Sequence, residues 1–218
     1  MTPTLARDVT GGLSNPSKMP GKAFGLPAAG EACPIGAKLA AVPGSVCHGC
    51  YATKGMYGFP IVREAQARRF AAVKLALSDP SERAKWVDAM ATQIRREQYF
   101  RWHDSGDIFS LEYLEMIVDV VKATPDTKHW LPTRELMTVR RYQLRHGAFP
   151  ENLVVRLSLP MVNPAESQIL AMARAFQLPL SAVSTQGFTC SAPTNGNACG
   201  NCRKCWSPNV GLVTYRKH

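Results

Sequence analysis

Seven cysteines fall into two tight groups, Cys33, Cys47 and Cys50 towards one end of the chain and Cys190, Cys199, Cys202 and Cys205 towards the other. Thiolates are soft ligands that hold zinc or iron–sulfur clusters, and a Cys-x2-Cys step lets one loop turn two sulfurs towards the same ion or cluster. The C-terminal group reads Cys190-x8-Cys199-x2-Cys202-x2-Cys205. Cysteines at successive x2 spacings are the pattern that wraps one [4Fe–4S] cluster, whereas zinc sites more often use two Cys-x2-Cys knuckles separated by a longer loop. A [4Fe–4S] cluster therefore ranks above zinc, which stays as the alternative. Gly196 and Gly200 suit close backbone approach, which brings amide N–H groups within reach of cluster sulfur.

The N-terminal trio, Cys33-x13-Cys47-x2-Cys50, is one ligand short of a complete site. Three outcomes fit it: an open iron position, a fourth ligand such as His48 or His103, or cysteines shared with the other group in a single cluster. The cofactor count is thus one cluster or two. Disulfides fit less well. The cysteine count is odd, and the opening MTPTLARDVTGGLSNPSK lacks the basic start and apolar run of a secretory signal, so a reducing compartment, the cytoplasm, is expected.

Other chemistry would sit where βα loops converge, beyond the carboxyl ends of strands. Those positions carry His103, Asp104 and Asp107 in the loop His103-Asp104-Ser105-Gly106-Asp107, then Arg134 in Pro132-Thr133-Arg134-Glu135. Arg156 lies on an otherwise apolar strand, and a partly buried guanidinium calls for an anionic partner. These five are the candidate catalytic or anion-binding residues.

The elements that must position them alternate. Residues 1–60 hold much of the Gly and Pro and read as an ordered but irregular arm carrying three cysteines. Two helices follow Pro60, with Val62, Phe70, Val73 and Leu77 on one stripe, Trp86, Met90 and Ile94 on the next, and Asp79-Pro80 as the break between them. From residue 99, β-prone runs at 99–103, KHWLP, 152–159, 178–184 and 210–215 alternate with helices over about 110–123, 134–146 and 164–175. Ser110 is the expected cap of the first of these, and Asn163-Pro164 the cap and first residue of the last. Parallel neighbours need a crossover, and a helix is the usual one. The expected fold is α/β, a parallel-sheet partial barrel of βα units with an irregular Cys-bearing N-terminal arm and a C-terminal Cys loop. Residues 1–218 read as one domain: the arm at 1–60, helices and βα units at 61–185, and a Cys-rich loop with a last strand at 186–218.

Lys and Arg number 26 against 16 Asp and Glu, a formal charge of +10. That favours an anionic contact such as a small acidic ligand or an acidic redox partner. Nucleic acid is compatible but not favoured, because no reading motif accompanies the charge. No apolar run approaches the roughly 18 residues of a membrane span.

Three segments carry a family likeness: Cys47-His48-Gly49-Cys50-Tyr51-Ala52, the Ser105-Gly106-Asp107 loop, and Cys199-Gly200-Asn201-Cys202-Arg203-Lys204-Cys205-Trp206. Through them the chain resembles the phage-encoded gene product eighty-eight family over most of residues 33–206, which implies a small phage-derived protein working in a bacterial host cytoplasm. The βα rhythm with cysteine clusters also looks like the partial barrel of radical S-adenosylmethionine enzymes. The chain lacks their Cys-x3-Cys-x2-Cys loop, so S-adenosylmethionine is not assigned as a cofactor. Whether the chain is an enzyme stays open at this point, between redox or radical chemistry, simple electron transfer, and a zinc-stabilised binding protein using its basic surface on nucleic acid or a host protein.

Overall fold

A computed structural model of the chain describes residues 1–217. Six strands, β1 (Lys22–Phe24), β2 (Tyr99–Trp102), β3 (Lys128–Thr133), β4 (Leu153–Val162), β5 (Leu180–Ser184) and β6 (Leu212–Arg216), form one sheet. They lie in the order β1-β2-β3-β4-β5-β6 with every neighbouring pair parallel, and the sheet is open rather than closed into a barrel. The helices are α1 (Pro3–Thr10), α2 (Pro34–Ala40), α3 (Pro60–Ser78), α4 (Pro80–Ile94), α5 (Leu111–Lys122), α6 (Leu136–His146) and α7 (Glu166–Phe176).

Caps fix the helix starts. Asp79 accepts hydrogen bonds from the amides of Ser81 (2.8 Å) and Glu82 (3.2 Å) to open α4, and Ser110 accepts from Tyr113 N (3.1 Å) to open α5. The arm is more regular than its composition implies. It holds α1, α2 and β1, a strand of three residues that exists because it pairs with β2 and bridges to Ser14. The start of α7 also differs from expectation. Asn163 is left-handed (φ 53°) and Ala165 precedes the helix, because the Asn163 side chain accepts instead from Ser184 Oγ and Thr185 N, tying down the end of β5.

Side chains alternate across the sheet, and the two faces differ. Phe100, Trp102, Leu131, Val155, Leu157 and Leu180 face the helices and form the core with Trp86, Met90, Ile94, Tyr113, Ile117 and Val121. This is the main source of stability, since it removes the largest apolar side chains from water. The opposite face carries Tyr99, Arg101, Trp130, Arg156, Ser158, Val213 and Tyr215, and the cysteine segments lie over it or at its rim.

Those faces set the path of the last connection. The helices between earlier strands cover the core face, whereas residues 185–211, between β5 and β6, lay Trp206 against Trp130 and Tyr99 on the other face. Strand order keeps advancing in the same direction, so this crossover has the opposite hand to those before it. Nearly all parallel crossovers share one hand, and an exception has to be held in place by something specific.

Candidate metal centre

The N-terminal thiols sit beyond the carboxyl ends of β2, β3 and β4. Cys33 lies in a short segment clamped between two βα loops: Asp107 N donates to Ala32 O (3.0 Å), and Ile35 N donates to Glu135 Oε1 (2.9 Å). The segment bearing Cys47 is stitched to the end of β4 by Val46 N to Pro160 O (2.8 Å) and Val162 N to Gly44 O (2.9 Å). Gly36 lies against both sulfurs. A Cβ there would collide with Cys33 Sγ and stand 3.8 Å from Cys47 Sγ. Burial pushes the Cys33 thiol up to about 12, helped by Asp107, Cys47 and Cys50 and opposed by Arg134. Cys47 is also raised, by burial above all, with Arg134 pulling the other way. These three thiols feel one another, one carboxylate and one guanidinium. Any metal that enters must displace their protons.

The C-terminal thiols make a different site. Cys190, Cys199, Cys202 and Cys205 line one cavity of about 20 Å³, closed by Ala192, Trp206 and Val213. Cys190 N donates to Thr214 O (3.0 Å) and Cys199 N to Lys18 O (2.8 Å), so both β6 and the N-terminal arm position the loop. Cys205 Sγ is 3.2 Å from the buried hydroxyl of Tyr215. Burial raises the Cys205 thiol to about 11, while the Tyr215 hydrogen bond, Arg156 and Arg101 lower it. Burial raises Cys199 as well, with Cys190 and Cys202 adding to the shift. The two groups are therefore separate, each thiol's sulfur neighbours belonging to its own group. Among the described residues, no three His, Cys, Asp or Glu side chains stand at the spacing of a bound metal ion.

The polar candidates divide. Asp107 and Arg134 join the N-terminal trio. Asp107 accepts from Ile108 N (2.8 Å) and Arg134 N (2.9 Å), and burial raises its carboxyl despite those bonds. Arg134 Nε is buried without a partner. Asp104 is buried near the rim, where Tyr57 donates to its carboxylate (3.2 Å) and Tyr51 to its carbonyl (2.8 Å). His103 adopts the left-handed region (φ 54°), which is costly for a non-glycine residue and tends to mark functional positions. Its Nε2 meets Tyr113 Oη of α5 (3.1 Å), its Nδ1 is buried with no partner, and burial pushes it down to about 3, so the ring is neutral.

Arg156 stands apart, and the expectation of an anionic partner needs correction. It is fully buried and donates to four carbonyls: Leu180 (2.9 Å), Val210 (2.9 Å), Lys204 (3.1 Å) and Ser207 (3.1 Å). Three of these belong to the last crossover, which makes Arg156 its clamp. Arg101 is a residue that motif reading passed over. It lies over the Trp130 ring at 4.5 Å, near Tyr51 on one side and Cys199 and Cys205 on the other. The signal was present in YFRWH, where Tyr99 and Arg101 share the face opposite Phe100 and Trp102.

A family profile described as Gene product 88 matches residues 3–208. The chain belongs to this phage gene-product family. Both cysteine groups and all five polar candidates fall within the span that places it in the Gene product 88 family. No curated protein and no solved structure matches it. No helix among the described residues of this family member is long and apolar enough to cross a membrane.

Proposed function

We propose that the chain is an iron–sulfur protein with two centres, most simply of the [4Fe–4S] type, that serves electron transfer or redox and radical chemistry in the host cytoplasm. Cys190, Cys199, Cys202 and Cys205 would hold the C-terminal centre, and Cys33, Cys47 and Cys50 the N-terminal one. The observation that carries this reading is that four thiols spread over sixteen positions of sequence line a single cavity. Soft thiolate donors in that number suit a cluster, and its surroundings suit one too: apolar walls, a hydroxyl beside one sulfur, and two arginines near enough to offset thiolate charge. The cavity is about the size of one water, so accepting a cluster requires the loop to swell outward. That loop has the freedom to do so, because Gly196, Asn197 and Gly200 already sit at positive φ in a segment with little regular structure.

When bound, such clusters take up and release single electrons at potentials set by charge, hydrogen bonds and solvent access. The chain's own residues would supply those settings. Trp206 and Val213 keep water from the C-terminal thiols, Tyr215 donates to Cys205, and Asp104, Asp107, Arg134 and His103 line the rim near the N-terminal thiols where a substrate or acidic redox partner would come. Anaerobically purified protein should be brown, absorb in the visible charge-transfer region, and contain iron with acid-labile sulfide. Colourless protein with stoichiometric zinc and no sulfide would overturn the proposal in favour of a zinc-stabilised binding protein.

A further inference from the structure

The sequence left three ways to complete the N-terminal trio, and the geometry separates them. Sharing with the C-terminal group is disfavoured because each set of thiols is gathered on its own elements, the trio on the βα loops and the quartet under the last crossover. His48 is exposed and its Nδ1 lies 3.0 Å from Ala40 O. The His103 ring is turned to Tyr113 of α5, towards the helix layer. Asp107 is held by two backbone amides, and Glu135 by Ile35 N. No side chain of the chain is thus presented as a fourth donor to the trio. Beside the thiols stands an uncommitted cation: Arg134 reaches Cys33 and Cys47 electrostatically, and its buried Nε has no hydrogen-bond partner.

We propose that the fourth ligand of the three-thiol centre comes from outside the chain, as a small carboxylate-bearing molecule. One oxygen or nitrogen lone pair would take the open iron position, and the carboxylate would pair with Arg134. This rests on the iron–sulfur reading above. No bond in the ligand need break; what is proposed is a binding site. Three further facts support it. The trio lies beyond the carboxyl ends of parallel strands, where βα loops converge and ligands gather. Gly36 supplies no side chain to cover Cys33 and Cys47. An unpaired buried guanidinium donor is costly unless something accepts from it.

The test uses the full chain, purified anaerobically, with iron and sulfide assayed first. Citrate and S-adenosylmethionine, carboxylates of different charge, are then titrated while the electron paramagnetic resonance spectrum of the reduced protein is followed. At least one should shift the signal of one centre and leave the other unchanged. Trimethyl citrate, which lacks free carboxylates, should bind at least about ten-fold more weakly than citrate if citrate is the binder. Arg134→Gln should weaken the productive probe about ten- to a hundred-fold at unchanged iron content, in line with loss of a charged hydrogen bond. His48→Ala and His103→Asn should leave the unliganded spectrum as it is. The inference fails if iron and sulfide are present but neither probe moves either signal, or if a histidine substitution changes the unliganded signal, which would reveal an internal ligand. Absence of iron and sulfide would instead sink the cluster reading itself.

Discussion

The two cysteine groups use the same donor atom in opposite surroundings. The C-terminal quartet is sealed: its cavity is walled by Trp206, Val213 and Ala192, and its loop is gripped by a buried arginine and by strand β6. The N-terminal trio is exposed to charge, with Asp107 and Arg134 as neighbours and loops from three strands around it. A sealed centre with a full complement of thiols is suited to holding and passing electrons. An incomplete one at the ligand-gathering end of the sheet is suited to meeting a substrate. The sheet keeps them apart because its last crossover runs over the face that the helices leave free.

The largest effect that could break this contrast is loss of Arg156. Arg156→Met would strand four buried carbonyls, each costing on the order of 1–3 kcal/mol if unpaired, so the chain should lose about 3 kcal/mol or more in urea unfolding. Iron bound by the quartet should fall, while the spectroscopic signal of the trio persists in protein that stays folded. Equal loss from both centres would show that they are one structural unit, and the contrast would be lost.

Acid should act on the sheet's other side and on the loop after β2. Burial pushes both His103 and His129 down to about 3, His129 lying between Trp102 Nε1 (3.3 Å) and Thr124 Oγ1 (2.9 Å). The unfolded chain takes up these protons near the ordinary histidine value of about 6.5 and the folded chain does not, so stability is full above about 6.5 and falls as pH drops towards 3. The slope approaches about 1.4 kcal/mol per pH unit for each histidine. Asp107 and Glu135, both raised by burial, act in the opposite sense at lower pH, so the slope is best read between about pH 6.5 and 5. Unfolding free energies at several pH values should show it, with His129→Asn reducing the slope by about half. A flat profile would mean that these rings are not held neutral.

How much of this was legible depends on whether a residue's role is local. Cysteine spacing is local, and it divided the thiols correctly into two groups. Helical stripes and the Asp79 and Ser110 caps are also local, and α3, α4 and α5 begin within a residue of where those signals put them. Strand β1 was not legible, since three residues in a Gly- and Pro-rich arm become a strand only by pairing with β2, which lies more than seventy positions later. Asn163 looked like a helix cap and instead binds the end of β5, about twenty positions away. Arg156 misled for the same reason. Composition says that a buried guanidinium needs acceptors, but only the fold shows that carbonyls of residues 180, 204, 207 and 210 fill that need.

Trp206 offers a smaller and more selective perturbation. Its indole donates to Phe100 O (2.9 Å) and packs edge-on against Trp130 and Tyr99. Trp206→Phe keeps an aromatic ring but removes the donor, so a loss of about 1–2 kcal/mol in unfolding is expected, with faster oxygen damage at the quartet than at the trio. Equal damage rates at the two centres would mean that the tryptophan is not the seal of the C-terminal cavity.

The finest distinction comes from Tyr215→Phe. The hydroxyl 3.2 Å from Cys205 Sγ lies in a buried site, and a hydrogen bond to a cluster-bound thiolate favours the more negative, reduced state. Removing it should lower the reduction potential of the C-terminal centre, leave iron and sulfide content unchanged, and alter stability by no more than about 1 kcal/mol. The N-terminal centre, with no part in this contact, should keep its potential. A shift in both would mean that charge at one site is felt at the other through the shared face of the sheet, where Arg101 lies between them, and the two centres would then have to be treated as a coupled pair.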